Sequence, residues 1–142
     1  MKEHNMTTKI PTLQIAFAST DGKTVDGHFG SCEKFYIYSL DAQQIQHIDV
    51  RNAEGGRGSE KNIFRAQIIK DCQLMFCASI GGPAAAKVIN AGIHPLKSKD
   101  NPTITDQLLE LQQRVAAGAL PPWLAKLMGQ PDYLSERFAA LE

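Results

Sequence analysis

The sequence is short of the features that usually announce a function. It has three cysteines, Cys32, Cys72 and Cys77, and no CxxC pair. A structural zinc site takes about four well-spaced ligands, and the cysteines and histidines here are too scattered to supply one. An odd, small number of cysteines also argues against a disulfide framework and points to free thiols in the cytoplasm. An excess of charge of one sign is missing as well. Lys+Arg and Asp+Glu each number 15, which argues against a nucleic-acid binder working by bulk charge. No apolar run approaches the length of a membrane span. The opening stretch MKEHNMTTKIP has neither an apolar core nor a cleavage pattern, so no secretory signal is expected there.

Nucleotide motifs are absent too. GGRGSEK lacks the GxxxxGK[ST] order of a P-loop, and no GxGxxG follows the first apolar run. A two-metal nuclease needs several carboxylates around one centre, yet the first strand, LQIAFA, contains none. Asp21 and Asp26 lie in the loop beyond it, so nuclease chemistry is the least favoured reading.

What is present is a pattern of short apolar runs and amphipathic segments. The length, 142 residues, suits one domain that buries roughly two-thirds of its unfolded surface. Leu13 to Ala18 and the aromatic, β-branched run Phe35 to Leu40 read as strands. Ala42 to Val50 reads as a third strand, antiparallel to the second. Ile63, Phe64, Ile68 and Ile69 then fall on one face of a predicted helix with Ser59 as its N-cap. QLMFCASI is a buried strand. GGPAAAKVINAG is a helix with Pro83 in its first turn and Gly92 at its end. IHPLK is a short strand. A last helix opens at Pro102 and Thr103, with Thr103 and Asp106 as a capping box, and ends at Gly118.

The order β-β-β-α-β-α-β-α predicts an α/β fold: a five-stranded mixed sheet in three layers, α/β/α, arranged like ribonuclease H with the first strand central. The predicted division is a flexible lead over residues 1–12, the domain over 13–118 and a tail over 119–142. The tail carries Trp123, Leu124, Leu127, Met128, Leu134, Phe138 and Leu141. It is expected either to cap the domain by burying Trp123 or to dock on a partner.

In that topology strands one, three, four and five run parallel, and binding crevices form at the carboxyl edge of such sheets. Four segments meet there: 19–34, 52–61, 79–83 and 98–103. The first overlaps the stretch DGKTVDGHFGSCEKF, Asp21 to Phe35, which puts glycines, a histidine and a cysteine into one loop. Helix N-termini favour anions, and Gly81, Gly82 and Ser59 stand at two of them. Lys34, Arg57 and Lys61 add positive charge. Gly27, Phe29 and Gly30 surround His28, and neutral imidazole is the commonest metal ligand. His28 is therefore the candidate metal ligand of an anion-receiving site. Cys32 would face the same way if the loop closes in a helical turn, although a packed thiol is the blander reading. Gly81 and Gly82 read equally well as packing glycines. Cys72 and Cys77 read as core, His47 as a solvated strand residue, and His94 as a minor candidate near the same edge.

The stretches IAFASTDGKTVDGHFGSCEKFYIY, CASIGGPAAAKVINAGIHPLK and PPWLAKLMG together resemble the dinitrogenase iron–molybdenum cofactor biosynthesis family, which includes NifX, NifY, the NafY core and the C-terminal module of many NifB proteins. The likeness runs from about Leu13 to Gly129, and the tail looks most like NifX. The resemblance implies a ribonuclease H-like fold without nuclease activity. It implies a cytoplasmic, non-enzymatic carrier of the iron–molybdenum cofactor or its NifB-type iron–sulfur precursor, with His28 as the binding histidine. Its implied partners are NifB, the NifEN scaffold and apo-dinitrogenase. A short N-terminus, without room for the extra domain of NafY-type proteins, favours the NifX-like role. An alternative is an interaction module that stabilises an assembly scaffold or apo-dinitrogenase without touching the cluster. Sparse cysteine suits a courier, because four thiolates would retain a cluster rather than pass it on.

Overall fold

The computed structural model describes residues 12–54 and 60–127. Five strands, β1 (Leu13–Ala18), β2 (Lys34–Leu40), β3 (Ile45–Asn52), β4 (Leu74–Cys77) and β5 (His94–Lys97), alternate in their second half with α1 (Glu60–Ile68), α2 (Gly82–Asn90), α3 (Ile104–Ala117) and α4 (Pro122–Leu127). The sheet order is β3-β2-β1-β4-β5, so β1 is central as expected. β2 pairs antiparallel with β1, from Leu13↔Leu40 to Ala18↔Phe35, and β3 pairs antiparallel with β2. β4 pairs parallel with β1, and β5 with β4.

The period of two along each strand divides the core into two layers. Leu13, Ile15 and Phe17 of β1 pack with Leu74 and Phe76 of β4 against Ile104, Leu108 and Leu111 of α3. Ala16 and Ala18 pack with Met75 and Cys77 against Ala66, Ile69, Ala84 and Val88. The central strands are buried on both faces, which is why they read as unbroken apolar runs. Phe17 stacks on Phe76 at 5.1 Å between ring centroids, and burying such a ring contributes about 1.5–3 kcal/mol. Helix ends follow local chemistry. The Thr103 hydroxyl accepts from the Asp106 amide at 3.0 Å, and Gly118 closes α3 at φ +69°, where only glycine is unstrained.

Three expectations need correction. Ile63 and Phe64 are not on the buried face of α1. They are 42% and 39% exposed, while Arg65 and Ala66 are buried in their place. The reason is polar: the Arg65 guanidinium meets three inward-pointing carbonyls, which outweighs the apolar pattern. Trp123 is not the tail's buried anchor. It is 37% exposed, and Leu120, Leu124 and Ala125 fill the second core layer instead. Trp123 stacks flat on His94, 3.9 Å between centroids. His94 itself opens β5, at the amino end of the strand and so on the edge opposite the candidate site. Ser59, Arg57 and the tail from Met128 onward, with Leu134, Phe138 and Leu141, lie outside the described residues.

Candidate functional site

The loop between β1 and β2 is built onto the carboxyl ends of β1 and β4. Gly27 donates its amide to the Ala18 carbonyl at 3.0 Å and accepts from Ala78 at 2.8 Å; Phe29 donates to the Ser79 carbonyl at 3.0 Å. The segment from Gly27 to Phe29 is thus held like a strand residue pair, with His28 bridged in parallel to Ser79. Gly27 is required by this closeness. A Cβ there would sit 2.7 Å from the Ala18 carbonyl carbon and 2.8 Å from its oxygen.

Beyond Phe29 the chain makes one helical turn, with the Ser31 and Cys32 amides donating to the His28 carbonyl at 3.1 and 2.9 Å. The Phe29 ring is fully buried against Phe35 and anchors the turn. The turn leaves His28 exposed. Its Nδ1 shares a short hydrogen bond with the Ser79 hydroxyl. With the proton on Nδ1, the Nε2 lone pair is available, and no described residue occupies it.

His28, Cys32 and Lys34 line one cavity of about 280 Å³ with Ser19, Asp26 and Glu33. Cys32 is 5% exposed. Burial pushes its thiol up, against the pull of the nearby Arg65 guanidinium. Asp26 accepts from the Thr20 amide at 2.8 Å and the Thr20 hydroxyl at 2.6 Å. Asp21 accepts from the Lys23 and Thr24 amides, which hold its carboxyl down at about 2. Both carboxylates are therefore committed to shaping the loop. Among the described residues, no three His, Cys, Asp or Glu side chains come together as a metal-binding group.

Of the other candidates, Gly30 lies beside Lys61, whose Nζ would be 3.9 Å from a Cβ at that position. Gly81 caps α2 and Gly82 opens it; neither lines the cavity. A Cβ on Gly82 would meet nothing within 4 Å, so tight packing does not explain these glycines. The second and fourth loops do converge here. Ala53 donates to the Glu33 carbonyl at 2.8 Å, Val25 to Pro102 at 2.8 Å, and Ile104 to Lys23 at 2.8 Å.

Sequence reasoning missed two residues. Ser79 orients His28, and its position directly after β4, on the binding edge, was a usable signal. Arg65 is 3% exposed and ties the loops together. Its Nε donates to the Phe29 carbonyl at 2.7 Å, Nη1 to Ala53 at 2.6 Å, and Nη2 to the Cys32 carbonyl by a short contact.

Fold and site define a three-layer α/β domain that presents one oriented histidine on a buttressed loop at the carboxyl edge of its sheet. The family model for dinitrogenase iron–molybdenum cofactor proteins matches residues 12–114, and the chain belongs to that family. It is 45% identical over 119 residues to Protein NifY of Klebsiella pneumoniae, covering 83% of this chain and 52% of that one. It is 33% identical over 127 residues to Protein NifX of Sinorhizobium fredii, covering 83% and 79%. The FeMo cofactor biosynthesis protein NifB of Bradyrhizobium diazoefficiens is 31% identical over 90 residues, 60% of this chain and 18% of that one. The chain spans about half the length of the NifY proteins it matches. Identity thus favours NifY and matched length favours NifX. The crystal structure of PH0822 shares the fold, with a TM-score of 0.57 at 17% identity over 71% of this chain and 91% of that one. No described helix is long and apolar enough to cross a membrane.

Proposed function

We propose that this chain is a non-enzymatic carrier. It takes the iron–molybdenum cofactor, or the iron–sulfur precursor of that cofactor, onto His28 and passes it between nitrogenase assembly proteins, with NifB as donor and the NifEN scaffold as recipient. The observation that carries this reading is the His28–Ser79 pair. A ligating histidine is commonly oriented by a hydrogen bond on its other ring nitrogen, and here that bond exists while the ring stands exposed. A single imidazole suits reversible loading, because no thiolate set competes to keep the cluster. Family membership and the NifB likeness support a cargo of this class.

The test mixes anaerobically prepared protein with extracted cofactor, and separately with its precursor, and measures metal co-eluting on gel filtration. Wild type is expected to retain metal and His28→Ala to lose it. Retention unchanged by the substitution, or none by wild type, would sink the assignment.

One observation favours the interaction-module reading. Trp123 stands half exposed at the rim of an apolar groove with Leu96, Leu111 and Leu124. Truncation after Gly118 is a poor test of it, since Leu120 and Leu124 would leave the core. Trp123→Ala is the cleaner variant: partner capture lost there, with metal retention intact, would assign docking to this groove.

A further inference from the structure

Arg65 is a buried cation without a buried anion. Its partners are three neutral carbonyls, and among the described residues no carboxylate lies within ion-pair distance of it. Buried charges are normally paired, because leaving water is costly. A guanidinium that accepts this cost must serve the groups it touches. Those groups come from two segments, the His28 turn and the stretch after β3. The planar fork reaches three acceptors at once, which a single ammonium does not match. Its Nη2 also lies 3.3 Å from the Cys32 sulfur in the cavity wall.

The clamp has a second effect. All peptide bonds among the described residues are trans, and a trans peptide carries its N–H opposite its carbonyl. Because the Phe29 and Cys32 carbonyls point at Arg65, the amides of Gly30 and Glu33 point away from it. Neither amide has a hydrogen-bond acceptor among the described residues. Glu33 lines the cavity; Gly30 belongs to the same turn outside that lining, and it has no side chain to cover its amide. Two unpaired amides that bracket one turn over a buried positive charge present donors to an anion.

We infer that Arg65 is the positioning residue of this site: its clamp on the Phe29, Cys32 and Ala53 carbonyls fixes the His28 turn and turns the Gly30 and Glu33 amides toward an anionic metal–sulfur cargo. The inference rests on the carrier reading above. It assigns the site's preference for an anion to a residue that never touches the cargo.

Four proteins decide it: wild type, His28→Ala, Arg65→Lys and Val88→Ala. Lysine keeps the charge and loses the fork. Val88 is fully buried in the same core layer and serves as a control for destabilisation alone. At matched folded fraction, Arg65→Lys is expected to retain at least tenfold less extracted cofactor than wild type, and Val88→Ala to stay within about twofold. The 15N shifts of the His28 imidazole in cargo-free protein give a readout that mere destabilisation does not move. Arg65→Lys is expected to lose the single-tautomer pattern, and Val88→Ala to keep it. Retention by Arg65→Lys equal to wild type, or an equal loss in Val88→Ala, overturns the inference. If His28→Ala still abolishes binding in that case, the carrier reading stands alone; if wild type retains nothing, both fall. Should Arg65→Lys not fold, wild type titrated with tetrathiomolybdate decides. Amide shifts at Gly30 and Glu33 support the inference, and shifts confined to Gly81 and Gly82 overturn it.

Discussion

Gly27→Ala should be costly in a way that the same change at Gly82 is not. A Cβ on Gly27 would lie 2.7 Å from the Ala18 carbonyl carbon, 2.8 Å from its oxygen and 2.9 Å from the Ser19 nitrogen. These are backbone atoms of the central strand's end and cannot rotate away. Reaching ordinary contact, which begins at 3.4 Å, requires a relative shift of about 0.7 Å. That shift stretches the Gly27-to-Ala18 hydrogen bond, now 3.0 Å, past its limit. Overpacking of this kind costs roughly 1–3 kcal/mol, and the lost bond adds about 1 kcal/mol. For a domain of this size the melting temperature should fall by about 7–13 °C. Thermal unfolding followed by circular dichroism measures it, with Gly82→Ala as the matched control. Beyond its chain neighbours nothing lies within 4 Å of a Cβ at Gly82; alanine's helix preference is offset by Pro83, which disfavours a helical residue bearing a Cβ before it, so that variant should melt within about 2 °C of wild type. His28 is next in sequence to the displaced residue, so metal retention by Gly27→Ala should fall even at temperatures where it is folded. A Gly27→Ala protein melting within about 2 °C of wild type would refute the reasoning, because it would mean that the strand end and the loop yield freely to each other.

Two further predictions concern titratable groups. Burial pushes the Cys72 thiol up to about 12 and Cys77 to about 11, and raises Cys32 as well. Native protein at pH 8 should therefore react slowly with Ellman's reagent, whereas denatured protein should release all three thiols at once; a fast native equivalent would show that Cys32 is open to the cavity as thiolate. Asp71 is held down at about 2, first by its hydrogen bonds from Arg51, against an ordinary value of 3.8. A depressed folded value means that the stabilisation is present above about pH 4 and lost as pH falls toward 2. Asp71→Asn should lower the melting temperature at pH 6 and flatten its decline between pH 4 and pH 2, and an unchanged slope would remove Asp71 from the acid response.

The strands could be read in advance because β1 and β4 are apolar on both faces and β2 is rich in aromatic and β-branched residues. Those signals are local. So is the Thr103 cap, where a hydroxyl three residues before Asp106 finds its amide whatever the tertiary context. Gly27 and Gly82 look alike as letters, and only the approach of Ala18, nine residues away in sequence and across a strand end, separates them. Arg65 was hidden for a stronger reason. The direction of a carbonyl is not encoded in residue type, so the three acceptors that draw a guanidinium inward, and leave Ile63 and Phe64 outside, are invisible until the loops are assembled. His28 was legible as an exposed ring flanked by glycines; its orientation by Ser79 was not, since that partner comes 51 residues later.

That separation bears on when the site comes into being. Apart from the local bonds within the turn and to Ala18, the bonds that hold the His28 turn cross from the first quarter of the chain to segments well downstream: Ala53, Arg65, Ala78 and Ser79. During synthesis the histidine emerges long before the strand that holds it. Its turn can close only after β4 has been made and has docked beside β1, and the entropy of closing those loops must be met by β4 packing first. The grip is therefore a late product of folding, and an isolated peptide spanning β1 to β2 would carry His28 without its orientation by Ser79.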